Sequence, residues 1–351
     1  MTWDVALILG VDGLANGAIY LLAGLGLVLI FSVTRVIFVP FGDIAAFAAL
    51  SLAAFETGKV PPTIGMVVIL AAFALLVEVC SLARKGEARR IPKAVLTWGV
   101  LPLIPCALAW ATVSMQAPTF VQIIASVLLV VPIAPLVARV CFQPIADASA
   151  LVLLIVSLAL HFLLSGLGLL FFGPEGSRTS ALVDGSVKIT ENFSVNAQVI
   201  LMVGAALVLS AMFFLVFERT VTGKALRATA VNRVGARLVG IRPARTAMMA
   251  FTCASLLAGL IGVLIAPVTT MYYDSGFIIG LKAFVAAIIG GLVSYPMTAV
   301  GALAVGVIES FASFFICFFK DVIVFSLLIP VLLLRSFWVA HHEEEEEELE
   351  Q

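Results

Sequence analysis

The residues of this sequence that could do chemistry are polar and ionisable side chains set inside long apolar runs. Asp12, Asn16 and Tyr20 recur every four residues, which puts them on one stripe of a helix. Ala302, Gly306, Glu309 and Ser313 share a face further along, while Asp43, Glu78 and His161 stand alone in apolar surroundings. A charge at the centre of a bilayer costs about 2.5–3.5 kcal/mol on insertion scales, so such groups face protein or water. Asn16 and Tyr20 fit a polar pathway and interhelical hydrogen bonding equally well. Gly13-x-x-x-Gly17, with Gly24 on the same stripe, reads first as close helix packing. Glu309 is functional or interhelical glue, and Asp43 raises the same question. Glu78, near the inner end of its run, is expected to snorkel to water, and His161 to be a hydrogen-bonded core residue. Enzymatic chemistry would need a pair of aspartates, a Ser/His pair or H-E-x-x-H; no such constellation occurs, so neither a catalytic nor a metal-binding residue is assigned. The five cysteines are scattered through apolar runs, where cysteine acts as a small hydrophobe.

The elements that position these groups follow from solvent. Of 351 residues, 62% are hydrophobic and only 12% charged, too few to cover a water-facing surface. The fold expected is an all-α polytopic membrane bundle. At about 20 apolar residues per span, clear segments are 8–33, 64–83, 94–113, 119–138, 151–172, 196–217, 246–268, 297–319 and 321–338. Two shorter ones, 40–55 and 281–295, are tilted, broken or re-entrant, which makes nine to eleven segments. The N-terminus lacks the basic region of a signal peptide, so its run reads as a retained first helix. Basic loops stay in the cytoplasm. Residues 84–93 and 218–245 are strongly basic; placing both inside also places Arg35, Arg139 and Arg335 there, with Lys282 at the outer edge of its short segment. This scheme puts the N-terminus outside and the acidic tail, 339–351, inside. The external connection 173–195 is expected to hold a small hairpin around Ser186–Thr190. A net charge of −1 gives no global field for nucleic acid.

The strongest non-membrane signal is the second basic loop. Leu226, Ala230, Val234, Leu238 and Ile241 fall at helical spacing, arginines occupy much of the remainder, and Gly235, Gly240 and Pro243 offer breaks. Two readings fit: an amphipathic helix lying on anionic headgroups, or a short helix docking into a cytoplasmic partner. The small residues Ala228, Ala230, Gly235, Ala236 and Gly240 favour docking, because they admit another backbone closely. No GxxxxGK[ST] phosphate loop occurs, so ATP is not bound by that route.

Leu226-Arg-Ala-Thr-Ala with Ala236-Arg-Leu-Val-Gly-Ile241 resembles the coupling loop of the branched-chain amino acid ABC-transporter permeases. Gly13–Tyr20, Leu29–Ile37, Gly276–Leu292, Gly306–Ser310 and Lys320–Phe325 resemble further blocks of that family, in order. Where members carry His-Gly-Glu or Gln-Gly-Glu, this chain has Phe41-Gly-Asp43, and 56–118 reads as an insertion with two extra spans within a permease domain of 1–338. The resemblance implies a subunit of an ATP-driven importer in the bacterial inner membrane. Its partners would be a second, related permease, two cytoplasmic ABC ATPase subunits and an external substrate-binding protein. ATP and Mg would be held by the ATPases, and this chain would carry no cofactor. Leu226, Arg227, Ala228, Ala230, Gly235, Ala236 and Gly240 would form the coupling loop, and Asn16, Gly17, Tyr20, Asp43 and Glu309 are pathway or packing residues. The alternative is a stand-alone secondary transporter coupled to an ion gradient through Asp12, Asp43, Glu78 or Glu309.

Overall fold

The computed structural model describes residues 3–333 except 85, 184, 191, 192, 293, 317 and 318. The acidic tail, Arg335 and the end of the 321–338 segment lie outside the described residues. Among the described residues, eight helices are long and apolar enough to cross a membrane. They are α1 (Trp3–Thr34), α3 (Thr63–Arg84), α4 (Ile91–Ser114), α5 (Thr119–Phe142), α6 (Ala150–Phe172), α7 (Ala197–Arg219), α10 (Pro243–Ile265) and α12 (Tyr295–Phe315). Two shorter helices, α2 (Phe41–Glu56) and α11 (Ser275–Ile289), sit among them. Short helices α8 (Val221–Val231) and α9 (Arg233–Leu238) lie in the basic loop, and α13 (Lys320–Ser326) follows α12. The expected ninth long span, 321–338, is not one continuous helix: α13 stops at Ser326, and helix resumes after a turn at Leu327.

Packing ranks the helices. The apolar stretch of α1 is 89% buried, against 28% for α3 and 22% for α4. With no gain from transferring apolar surface between lipid and protein, helices associate through close contact of small residues and polar bonds. α1 and α12 run antiparallel along such a seam. A Cβ on Gly13 would lie 2.7 Å from Val307 Cα, and one on Gly17 2.9 Å from Leu303 Cα. Gly306 faces the backbone of Gly13 and Gly17 in return. The small-residue stripe read from the sequence is therefore a packing seam.

The two short helices meet near their N-terminal ends. Gly42 of α2 abuts the backbone of Gly276 and Gly280 on α11, with no room for a side chain at Gly42 or Gly276. This contact fixes α11 as 275–289 rather than the expected 281–295. Its other end is set at Gly290-Gly291, where Gly291 takes a positive φ of 74°.

The 173–196 connection carries the expected hairpin, Ser186–Thr190 antiparallel to Phe193–Asn196 with an irregularity between Lys188 and Thr190. The connection is also anchored to the bundle. Ser177 and Met271 exchange backbone hydrogen bonds, Arg178 Nε donates to the Pro267 carbonyl at 2.9 Å, and Ser180 bonds to Glu56.

Candidate functional site

Three polar groupings stand out. In the first, α1, α11, α12 and α13 converge on one buried lysine. Lys282 Nζ lies 2.5 Å from Glu309 Oε1 and 2.8 Å from Asp321 Oδ1, and Tyr20 donates its hydroxyl to Glu309 Oε2 at 2.5 Å. Tyr20, Lys282 and Glu309 are buried. Lys282 thus occupies the middle of α11, not the outer edge of a segment, and its charge is answered by two carboxylates. Both oxygens of Glu309 are engaged, which favours a fixed strut over a group waiting for an ion. Asn16 lies one turn before Tyr20 and is partly buried.

The second grouping is Asp43 with His161. Asp43, at the start of α2, is fully buried, and its Oδ2 pairs with His161 Nδ1 at 2.7 Å. His161, on α6, stacks on Phe277 of α11 with ring centroids 4.4 Å apart. The other Asp43 oxygen, Oδ1, has no hydrogen-bond partner among the described residues. Phe41, standing where the resemblance calls for a polar residue, is buried with its ring over Gly26, so it fills core volume. Glu78, expected to snorkel to water, is only partly buried and has found a partner within the bundle. It forms an ion pair with Arg139 of α5, through Nε at 2.7 Å and through Nη2. Asp12 is exposed on α1.

The third grouping is the basic loop. The single amphipathic helix expected from spacing is instead two helices, broken at Asn232 rather than at Gly235. Thr220 caps α8 by accepting from Gly223 N at 3.1 Å, and Asn232 caps α9 by accepting from Gly235 N at 2.9 Å. Asn232 is extended, with φ −148° and ψ 106°, so the two helices point differently. Gly240, with φ 85°, closes α9, and Pro243 opens α10.

The break redistributes the expected coupling residues. Leu226 is buried against Leu29, Val33, Phe217 and Ala250, and Ala236 is buried as well. Arg227 reaches back to the Phe217 carbonyl at 3.0 Å. Ala228, Ala230 and Gly235 are partly buried, and Gly240 is exposed. Beside the exposed Lys224, Arg227 and Arg237, four apolar side chains are left outside: Val231 is 86% exposed, Val234 67%, Leu238 84% and Val239 75%. Leu226 and Ala236 are buried, while these four form the apolar part of its outer surface.

Residues 10–334 match the family model described as the permease component of the branched-chain amino acid transport system. The chain belongs to this permease family. It is 32% identical over 207 residues to the high-affinity branched-chain amino acid transport system permease protein LivH of Salmonella typhimurium and of Escherichia coli K12. That match covers 56% of this chain and 66% of each relative, so the chain spans just under two thirds of the relatives' length. It is 30% identical over 211 residues to the corresponding BraD protein of Pseudomonas aeruginosa, covering 57% and 67%. No solved structure matches. The helices and the family together make this a multi-pass membrane protein.

In this permease, spacing and hydropathy place Lys282 at a segment edge without its carboxylate partners, and assign no role to Asp321, Val231 or Val239. A lysine inside an apolar run demands a carboxylate partner, and that signal was present at Lys282. The outward position of Val231 and Val239 depends on the Asn232 break, which an N-cap residue followed by helix formers announces. Among the described residues, no group of three or more His, Cys, Asp or Glu side chains could hold a metal ion.

Proposed function

We propose that this chain is the membrane-spanning subunit of an ATP-driven importer, moving branched-chain amino acids or a related small polar solute across the bacterial inner membrane. Two ABC ATPases drive it from the cytoplasm, a second related permease completes the pathway, and an external binding protein delivers the solute. The N-terminus lies outside and the C-terminus in the cytoplasm. The observation that carries this reading is the capped pair α8–α9, anchored by Leu226 and Ala236 and presenting Val231, Val234, Leu238 and Val239 among basic residues. An apolar ridge that large, outside the bundle, fits a groove on a soluble partner. A push on α9 passes directly through Pro243 into α10, so a moving partner can tilt a membrane helix.

The ion-coupled alternative draws on the intramembrane carboxylates. Glu78 and Glu309 each have a basic partner and Asp43 has His161, which favours fixed struts over exchangeable sites. The test is labelled leucine uptake into proteoliposomes holding the complete complex. Uptake should require ATP and persist when a protonophore collapses the proton gradient. Uptake without the ATPases, abolished by the protonophore, would establish the alternative.

A further inference from the structure

The basic end of the bundle holds a cavity that the proposed coupling role does not use. Its volume is about 260 Å³. Drug-sized ligands occupy pockets from roughly 300 Å³ upward, so this one suits something smaller. Its floor is apolar, with Val36, Phe142 and Phe251; Phe142 and Phe251 stack at 5.8 Å. Its rim is charged with both signs, by Arg233 and Arg237 from α9 and by Asp147 from the connection between α5 and α6.

These rim charges are unspent. Among the described residues, Arg233 makes one polar contact, a long bond of 3.4 Å from Nη1 to the Ala146 carbonyl, and its Nε is buried with no acceptor. Among the described residues, neither Arg233 nor Arg237 pairs with a carboxylate, and Asp147 pairs with neither of them although all three border one cavity. Two guanidiniums, one carboxylate and an aromatic floor make the complement of a small zwitterion with a branched apolar side chain.

We infer that this cavity binds a branched-chain amino acid on the release side, with its carboxylate on Arg233 and Arg237, its ammonium on Asp147 and its side chain on Phe142 and Phe251. The inference rests on the substrate class proposed above. Occupancy has a mechanical consequence. The rim arginines belong to α9 and the floor to α5, α10 and the segment after α1, so a bound amino acid ties the coupling element to the bundle. Released product therefore slows the next cycle.

The test uses the complete complex in nanodiscs, where both faces are accessible, with leucine-loaded binding protein held saturating. Free leucine, 4-methylpentanoate (no ammonium) and 3-methylbutylamine (no carboxylate) are titrated while ATP hydrolysis is followed. Free leucine should inhibit, and each analogue should inhibit more weakly. Asp147→Asn should leave turnover in low leucine unchanged and shift leucine inhibition about tenfold, the scale of one lost charge-assisted hydrogen bond. The same change should erase the preference for leucine over 4-methylpentanoate. Arg233→Gln, which leaves Arg237, should instead narrow the preference over 3-methylbutylamine. Direct binding of labelled leucine to the permease should weaken in both variants, a reading independent of coupling. A complex that transports leucine, yet shows no leucine inhibition or inhibition unchanged from wild type in both variants, overturns the site and leaves the proposed function standing. A complex that does not transport leucine at all removes both.

Discussion

The interior of the bundle and its basic end treat polarity in opposite ways. Inside, the buried carboxylates among the described residues each have a basic partner: Glu309 has Lys282 and Asp43 has His161. At the basic end, Arg233, Arg237 and Asp147 form no ion pair among the described residues, and Val231, Val234, Leu238 and Val239 remain outside. Bilayer hydrocarbon penalises an unpaired charge by several kcal/mol, while water tolerates one. Groups left unanswered where answering was optional therefore mark where the molecule meets other molecules. The intramembrane charges mark where it holds itself together.

This contrast can be broken by substitution, and the interior should suffer most. Lys282→Met strands Glu309 and Asp321 and should destabilise the protein by about 3–5 kcal/mol, as removal of one partner of a buried pair does. Thermal unfolding in detergent measures this, and the double variant with Glu309→Leu should recover part of the loss. Gly306→Ala drives a methyl into the backbone of Gly13 and Gly17 and should cost about 1–3 kcal/mol as an overpacked contact. A smaller loss is expected at Asn232→Ala, which removes the cap of α9 at about 1 kcal/mol; it should also uncouple ATP hydrolysis, because α9 loses its direction. Smallest in stability is Leu238→Asp, within about 0.5 kcal/mol for an exposed position with no partner.

Much of the fold is legible from hydropathy, because eight helices are long enough to announce themselves, and the hairpin at 186–196 is bracketed by turn formers. The Gly13/Gly17 seam is also legible, since small residues four apart mean close approach whatever the partner. Hydropathy fails where helix ends depend on packing. The apolar run at 281–295 continues through Gly290-Gly291, but α11 stops there, and it starts earlier because Gly276 must meet Gly42. Charge partners are invisible for a different reason. Lys282 and Glu309 are separated by 27 residues, and Tyr20 and Glu309 by 289, so only the folded bundle pairs them. In the basic loop, helical spacing carries one face through Asn232, whereas the side chain of Asn232 bonds the next turn and ends that face.

The central claim is that the outer ridge of α8–α9 transmits force from a partner ATPase. The most direct measurement is coupled ATP hydrolysis by the reconstituted complex carrying Leu238→Asp, alongside unfolding of the same variant. The unfolding temperature should be unchanged, and hydrolysis should no longer be stimulated by loaded binding protein. Stimulation at the wild-type level with Leu238→Asp and Val234→Asp combined would contradict it.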